Sequence, residues 1–360
     1  MIKEIFKTPK YIYEGVLYHL GGFLFTARPR MIQFPVCDRC NARCVMCNRW
    51  QKKTDNEISL EKIREVFSGS LFSKVENASL HGGEPTLRKD LAEICGIILD
   101  ACPRLKCLWI STNGFGPKRI EKRVLEIIEV LRSKNFHALD INVSIDGLED
   151  THDAIRGVKG GFQQAVETIK MLKRLSLDFP ININIGTVIL PSNLYQIDAL
   201  EKLAQSLDVP INFQPLMFDK FFNIPGESDL KFSRDDIEKF KEIVTSKLAN
   251  GNTTTSQYWC HFLSMMEGEN RKIPCAFDRY VFSLYPTGEV LPCSREDWIL
   301  FGSIYKEDAE KIWFGKRARM IRRKMKREVC SSCTFYCGVE FSLQKEFFSY
   351  LKFYLKRLIT

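Results

Sequence analysis

Between residues 31 and 217, short apolar, β-branched runs alternate with longer amphipathic stretches. The apolar runs predict strands at Met31–Cys37, Val75–His81, Lys106–Thr112, Leu139–Asp146, Ile181–Leu190 and Ile211–Met217. The amphipathic stretches predict helices at Ser59–Ser68, Lys89–Ala101, Lys118–Ser133, Phe162–Arg174 and Asn193–Gln205, with Ser59 and Ser192 as N-caps. Strand–helix–strand repetition at this spacing implies a parallel α/β sheet with right-handed crossovers. Six such strands fit an incomplete barrel, and an open doubly wound sheet would show the same pattern. In either case ligands bind at the carboxyl ends of the strands.

The pattern breaks after residue 217. Residues 218–232 (FDKFFNIPGESDLKF) read as a linker, followed by a helix at Arg234–Leu248 and a polar tract at Asn250–Gln257. Five parts are expected: an N-terminal extension (1–30), the strand–helix core (31–217), linker and helix (218–257), a small cysteine-rich domain (258–340) and a terminal helix (341–360). Tyr280–Cys293 reads as a hairpin turning at Pro286-Thr287-Gly288. The small domain has little apolar content of its own, the situation in which a metal cluster supplies stability. In the terminal stretch, Leu343, Phe347, Leu351, Tyr354 and Leu358 share one helical face, with lysines elsewhere. That face is expected to pack on the barrel, with peripheral contact to a membrane surface as the alternative.

Composition, 45% hydrophobic and 27% charged, excludes a disordered chain. The thirteen cysteines lack the context of a secreted disulfide scaffold. Near the start, the apolar stretch Val16–Phe25 is broken by Tyr18, His19 and two glycines. It is followed by Ala27-Arg28-Pro29-Arg30 rather than a small-residue cleavage site. No apolar run is long enough to span a bilayer. Metal-binding thiolates in a reducing cytoplasm are the expectation. The net charge of +9 includes a dense run at Lys316–Arg327, read first as a solvated helix face, with an anionic substrate or membrane as the alternative. No nucleic-acid motif accompanies it, so nucleic acid is not an expected partner.

Cys40-Asn41-Ala42-Arg43-Cys44-Val45-Met46-Cys47 gives CxxxCxxC directly after the first strand. Three thiolates can hold three corners of a [4Fe–4S] cube and leave one iron open to a small molecule's amine and carboxylate. A zinc site is the competing reading, but Asn48, Arg49 and Trp50 offer no fourth ligand and Cys37 belongs to the strand. At the end of the second strand stands His81-Gly82-Gly83-Glu84-Pro85. Its two glycines permit close backbone approach, and its carboxylate could accept from an ammonium group.

Together these residues resemble the radical S-adenosylmethionine (SAM) superfamily. The stretch Val143-Ser144-Ile145-Asp146-Gly147 with His152-Asp153 and Arg156-Gly157, and the segment Ile183–Asn193, are similar to the fourth and fifth strand regions of its SPASM/twitch branch. The resemblance implies a partial (β/α)6 TIM-like barrel with a small C-terminal cysteine-rich twitch/SPASM-like domain. It implies that Cys40, Cys44 and Cys47 hold a SAM-binding [4Fe–4S] cluster and that Gly82, Gly83 and Glu84 dock the methionyl ammonium. Ser144 would contact the ribose or carboxylate and Arg156 would pair with the carboxylate. Asn113 is a further candidate for that cavity, and for Ser144 and Asn113 strand-end capping competes with a contact.

Cys275 and Cys293 flank the hairpin, and Cys330 and Cys333 form a CxxC after the basic run, with Cys337 four residues on. Spacing alone favours structural zinc. The resemblance favours one auxiliary [4Fe–4S] cluster on Cys275, Cys293, Cys330 and Cys333, with Cys337 as the alternative to Cys333 for the last ligand; a second cluster is not expected, because the full SPASM pattern needs more cysteines after the last pair than Cys337. Cys95, Cys102 and Cys107 read as buried apolar residues, and Cys260-His261 as packing beneath the linker.

The resemblance further implies reductive cleavage of SAM to a 5′-deoxyadenosyl radical that abstracts hydrogen from a substrate carbon, with an electron donor such as flavodoxin or ferredoxin. Asp278, Tyr285, Glu296 and Asp297 flank the auxiliary ligands as candidate bases. Only about thirty residues precede the first strand, which favours a small substrate, a sugar or aminocyclitol, over a peptide. A peptide-modifying (RiPP-type) maturase is the alternative, and a non-catalytic iron–sulfur or zinc protein the second. The molybdopterin-pathway GTP cyclase is disfavoured by the missing terminal Gly-Gly, and sulfatase maturation by the missing cysteines.

Overall fold

The computed structural model describes residues 26–52, 56–216, 230–248, 254–271, 275, 277–293 and 298–333. The terminal helix expected at 341–360, Cys337, Glu296, Asp297 and nearly all of the N-terminal extension and the 218–232 linker lie outside the described residues.

Six parallel strands form as expected: β1 (Met31–Cys37), β2 (Asn77–Gly82), β3 (Cys107–Thr112), β4 (Leu139–Ser144), β5 (Ile181–Ile189) and β6 (Ile211–Pro215). Between them run α1 (Leu60–Phe67), α2 (Leu91–Ala101), α3 (Pro117–Ser133), α4 (Glu149–Arg156), α5 (Gly161–Leu175) and α6 (Ile197–Leu207). The sheet order is β6-β5-β4-β3-β2-β1-β7-β8-β9. From β1 to β6 each strand adds beside the last with no reversal. A doubly wound sheet reverses at a switch point, so its alternative falls away. Right-handed crossovers then place every helix on one side, and the sheet curls around its other face. The barrel stays incomplete because the free edge of β1 pairs with β7 (Val281–Leu284) rather than β6.

Alternation along the strands explains both faces. Ile32, Phe34, Leu80, Leu108, Ile141 and Ile185 are buried beneath the helices. Between them stand Gln33, Ser79, Trp109, Asn142, Asn184 and Asn212, which line the concave face and are only partly buried.

Several expectations change. Ser59 caps α1 by accepting from Lys62 N, but Ser192 caps nothing. Asn193 precedes a 3-10 turn there, and its side chain is spent on Leu190 N, Asp146 O and Val188 O. Helix α4 was not expected: it has one buried apolar side chain, Ile155, and no side-chain N-cap. The helix over 234–248 runs as α7 (Arg234–Ile243) and then widens into a π turn, Val244–Leu248. The tract taken as polar starts α8 (Thr254–Met266), whose Tyr258 and Trp259 are fully buried. A one-turn α9 (Phe277–Tyr280) leads into β7, which forms the expected hairpin with β8 (Glu289–Leu291). β9 (Gly302–Ser303), α10 (Ala309–Phe314) and α11 (Lys316–Glu328) complete the described chain. The cysteine-rich part does not depend on a small core of its own. Phe282, Val290, Phe301 and Trp313 belong to the same buried cluster as the barrel's helix-facing residues.

Candidate functional site

After β1 the chain leaves the sheet in a loop carrying Cys40, Cys44 and Cys47, and two neighbours hold that loop by backbone contacts. From the end of β2, Gly83 N donates to Cys37 O at 2.8 Å and Glu84 N to Arg39 O at 2.7 Å. A Cβ at Gly83 would stand 2.1 Å from Arg39 O, so only glycine allows this approach. From the other side, Arg43 N and Val45 N donate to Arg156 O and Ile155 O at 2.8 and 2.9 Å. These are last-turn carbonyls of α4, which a helix end leaves without internal partners. Gly157, with φ of +64°, ends that helix, and a Cβ there would meet Arg43 O at 2.6 Å. A buried ion pair between Asp38 and Arg49 closes the base of the loop.

Each of the three sulfurs has an N–H donor nearby. Cys40 Sγ faces Ala42 N at 3.4 Å and Asn113 Nδ2 at 3.8 Å, Cys44 Sγ faces an Arg156 Nη at 3.7 Å, and Cys47 faces the Arg49 backbone N–H. Burial lifts the pKa of all three thiols, that of Cys44 to about 11. Without a cation they stay protonated, and metal binding is what removes those protons. Among the described residues no three His, Cys, Asp or Glu side chains converge on a single ion. A cluster that offers each sulfur its own iron, with N–H donors tuning the thiolates, fits this donor set better than zinc.

The residues expected to contact SAM have partners within the chain. Glu84 is fully buried, and burial raises its pKa. Its carboxylate accepts from Thr86 N, Thr86 Oγ1, Thr112 Oγ1 and Asn113 N at 2.6–3.1 Å. Three of these donors share Oε1, while Oε2 accepts only from Asn113 N and keeps acceptor capacity. Glu84 ties the end of β2 to the end of β3. Arg156 pairs with Asp146 Oδ2 at 2.5 Å and faces Cys44, leaving its buried Nε without a partner. Asn113 holds the cluster loop through Asn41 Oδ1 at 2.8 Å. Ser144 ends β4 on the concave face, half-buried.

Three residues of this site received no role from the sequence. Asp146, in the quoted Ser-Ile-Asp-Gly, orients Arg156. His152 is fully buried and its Nδ1 accepts from Asp146 N at 3.1 Å. Burial, with Arg156 beside it, lowers its pKa to about 3. His81 stands two residues before Gly83, its pKa also lowered by burial to about 3, with Nε2 unpartnered. Cys37 donates its thiol to Glu84 O at 3.3 Å, and burial raises its pKa to about 12. Cys95 and Cys102 are buried as expected, but Cys107 is not an apolar filler: its thiol donates to Asp140 Oδ2 at 2.5 Å.

The concave face between the strands is amide-rich. Strand register places Gln33 beside Ser79, Ser111 beside Asn142 and Asn184, and Ser144 beside Gly186 and Asn212. The Asn142 carboxamide lies over Gly186, where a Cβ would meet it at 2.4 Å. Trp109 remains 37% exposed here. No lysine or arginine of β1–β6 lies on this face among the described residues.

In the C-terminal part, Cys330 and Cys333 flank a 3-10 turn after α11, anchored by Arg271 N donating to Ser331 O at 2.8 Å. Cys275 is electrostatically coupled to both, and burial raises Cys275 and Cys330 to about 11 and 12. Cys293 follows β8 and packs against the same core as Cys330. Of the candidate bases, Asp278 is buried with no hydrogen bond to either carboxylate oxygen and Lys326 Nζ 4.0 Å away. Tyr285 stands at the hairpin turn. Cys260, on α8, packs half-buried against the shared core beside His261.

Comparison with known proteins agrees with this layout. The family model described as "Radical SAM superfamily" matches residues 34–204, and the "Iron-sulfur cluster-binding domain" model matches 275–334. The sporulation killing factor maturation protein SkfB of Bacillus subtilis (strain 168) is 25% identical, covering 88% of this chain and 73% of that protein. An AdoMet-dependent heme synthase of Methanosarcina barkeri (strain Fusaro / DSM 804) is 29% identical, covering 80% and 83%. The crystal structure of Streptococcus suis SuiB bound to precursor peptide SuiA superposes with a TM-score of 0.58 at 16% identity, covering 86% of this chain and 70% of that one. No described helix is long and apolar enough to cross a membrane. The first family match carries a SAM-binding [4Fe–4S] cluster and SAM as cofactors, and the second carries auxiliary iron–sulfur clusters. With the two models together matching more than half of its length, in the order the cysteines suggest, the chain belongs to the radical SAM superfamily, as an enzyme of its SPASM/twitch branch.

Proposed function

We propose that the protein is a peptide-modifying (RiPP-type) radical SAM maturase. The observation that carries this reading is the carboxamide-lined concave face, on which β1–β6 place no cation. Asn and Gln side chains offer a donor and an acceptor each, the complement of a peptide bond, whereas a phosphorylated or nucleotide substrate calls for cations. The resemblance to SkfB over most of the chain supports it, and the expected sugar or aminocyclitol substrate gives way to a peptide chain.

In this reading Cys40, Cys44 and Cys47 hold the SAM-binding cluster, and Cys275, Cys293, Cys330 and Cys333 an auxiliary one. When bound, the first cluster with SAM supplies a 5′-deoxyadenosyl radical that takes a hydrogen atom from an unactivated carbon. The chain's own residues do the positioning. Gly82 and Gly83 bring β2 against the cluster loop, Glu84 locks β2 to β3, and Asp146 holds Arg156 with its Nε free for a carboxylate. Ser144 faces the same end of the barrel. Gln33, Asn142, Asn184 and Asn212 align the substrate. The five-part division of the chain, the cytoplasm as compartment and a flavodoxin or ferredoxin as electron donor belong to this proposal.

The test is hydrogen transfer. Anaerobically reconstituted protein is given SAM, dithionite and deuterated peptides encoded beside its gene, in parallel with deuterated sugars and nucleotides. Deuterium in 5′-deoxyadenosine and a mass change in a peptide are expected. Deuterium arriving only from a sugar or nucleotide would overturn the assignment.

A further inference from the structure

Helix α11 carries eight basic residues, and the structure divides them into two groups. Arg317 donates to Leu300 O, and Arg322 lies buried between the Phe301 and Trp313 rings, donating to Asp278 O and Trp313 O. Lys324 packs over Trp298 and pairs with Glu328. These three serve the fold.

The remaining five, Lys316, Arg319, Arg323, Lys326 and Arg327, line a groove of about 840 Å³ together with Met320, which is 64% exposed. Their spacing puts them on one face over three turns of helix. Lys326 reaches Asp278, but among the described residues no carboxylate pairs with the other four. Arg319, Arg323 and Arg327 stand four apart, an arrangement that destabilises a helix by like-charge repulsion. The stripe is therefore not explained by the stability of α11. A solvated face would interleave both signs, and this one does not.

The position of the groove says what covers it. Its end at Lys326 and Arg327 is one turn from Cys330, and Lys326 is electrostatically coupled to Cys330 and Cys275. We propose that this basic stripe is the docking surface for an acidic redox carrier protein, seated so that its redox centre faces the C-terminal cysteines. Charge complementarity supplies orientation and on-rate, and Met320 supplies an apolar contact at the centre of the patch. The inference concerns a surface that shares no lining residue with the concave face and holds whatever the substrate is, so its test reads binding rather than turnover.

The experiment measures binding of reconstituted full-length protein to a flavodoxin and to a bacterial ferredoxin, at low and at physiological salt. The charge-reversed R319E/R323E/R327E protein and the charge-conserving R319K/R323K/R327K protein are run beside it, with melting curves to confirm that each folds. Salt-sensitive binding of at least one carrier is expected, weakened about tenfold or more by reversal and retained by the lysine variant. Dithionite-driven 5′-deoxyadenosine formation, which needs no carrier, is expected to be unchanged by reversal. Carrier binding that reversal leaves intact, or no carrier binding at all, overturns the proposal. So does stripe-dependent binding to phosphatidylglycerol vesicles or to a polyglutamate peptide with neither carrier bound, which would reassign the surface to a membrane or to an acidic peptide.

Discussion

The two cysteine groups are built in different ways. The Cys40–Cys47 loop is held by main-chain hydrogen bonds from two directions, β2 and α4, and by glycines whose missing Cβ atoms let those backbones meet. The C-terminal group is spread over a hairpin, a one-turn helix and a 3-10 turn, which Arg271 N reaches by donating to Ser331 O. The first site is preorganised by the barrel and would take up the proposed cluster without much reordering. The second gathers segments distant in sequence, so the cluster proposed there would do part of the work of folding.

The largest expected effect separates chemistry from stability at the first site. A C40A/C44A/C47A protein should form 5′-deoxyadenosine only at background level, yet melt within a few degrees of the metal-free wild type. A collapse of its melting temperature would show that the loop depends on its metal as much as the C-terminal group does. Next in size is the effect of stripping metal from the whole protein. Limited proteolysis, read by mass spectrometry, should then cut first around residues 270–300 and 328–333 while the 31–216 core survives. Equal cutting of the 38–48 loop would erase the contrast.

A smaller effect tests the glycine clamp itself. Gly83→Ala should cost about 2–4 kcal/mol, because its Cβ would collide with a backbone carbonyl that cannot rotate away. For a chain of this size that is a fall of several degrees in melting temperature. Iron bound at the first site should fall in parallel while the C-terminal site keeps its own. A variant that retains full iron content and stability would mean the loop is held elsewhere.

The contrast also explains what the sequence could reveal. Met31–Cys37 was legible to the residue, because alternation along a strand is a local property that burial on one face enforces. The spacing of Cys40, Cys44 and Cys47 stands out in the sequence because the three occupy one loop. Glu84 was visible as a carboxylate beside two glycines, but its partners Thr112 and Asn113 are almost thirty residues away, and nothing local shows that four donors already occupy it. Arg156 is similar: Asp146 lies ten residues earlier, across a helix with almost no apolar signal. The shared core was hidden for the same reason. β7 finds its place beside β1 across 250 residues of chain, a pairing that no window of sequence contains.

The smallest expected effect concerns the support beneath the clamp. His152 holds Asp146 N, Asp146 holds Arg156, and Arg156 O accepts from the cluster loop, so the protonation state of His152 is linked to that loop. Burial lowers its pKa from 6.5 to about 3 in the folded chain, so between those values the unfolded chain binds the extra proton. Stability is then fully present above pH 6.5 and is lost as pH falls, at a slope approaching about 1.4 kcal/mol per pH unit. His81, shifted in the same direction, adds its own slope, so the informative quantity is a difference. His152→Asn keeps an acceptor near the position of Nδ1 and cannot titrate. Urea unfolding of the two proteins between pH 7.5 and 5.5 should show the wild type losing about 1.4 kcal/mol more than the variant. Parallel pH profiles would mean that His152 titrates in the fold as it does in the unfolded chain, and that the loop is held on this side by α4 alone.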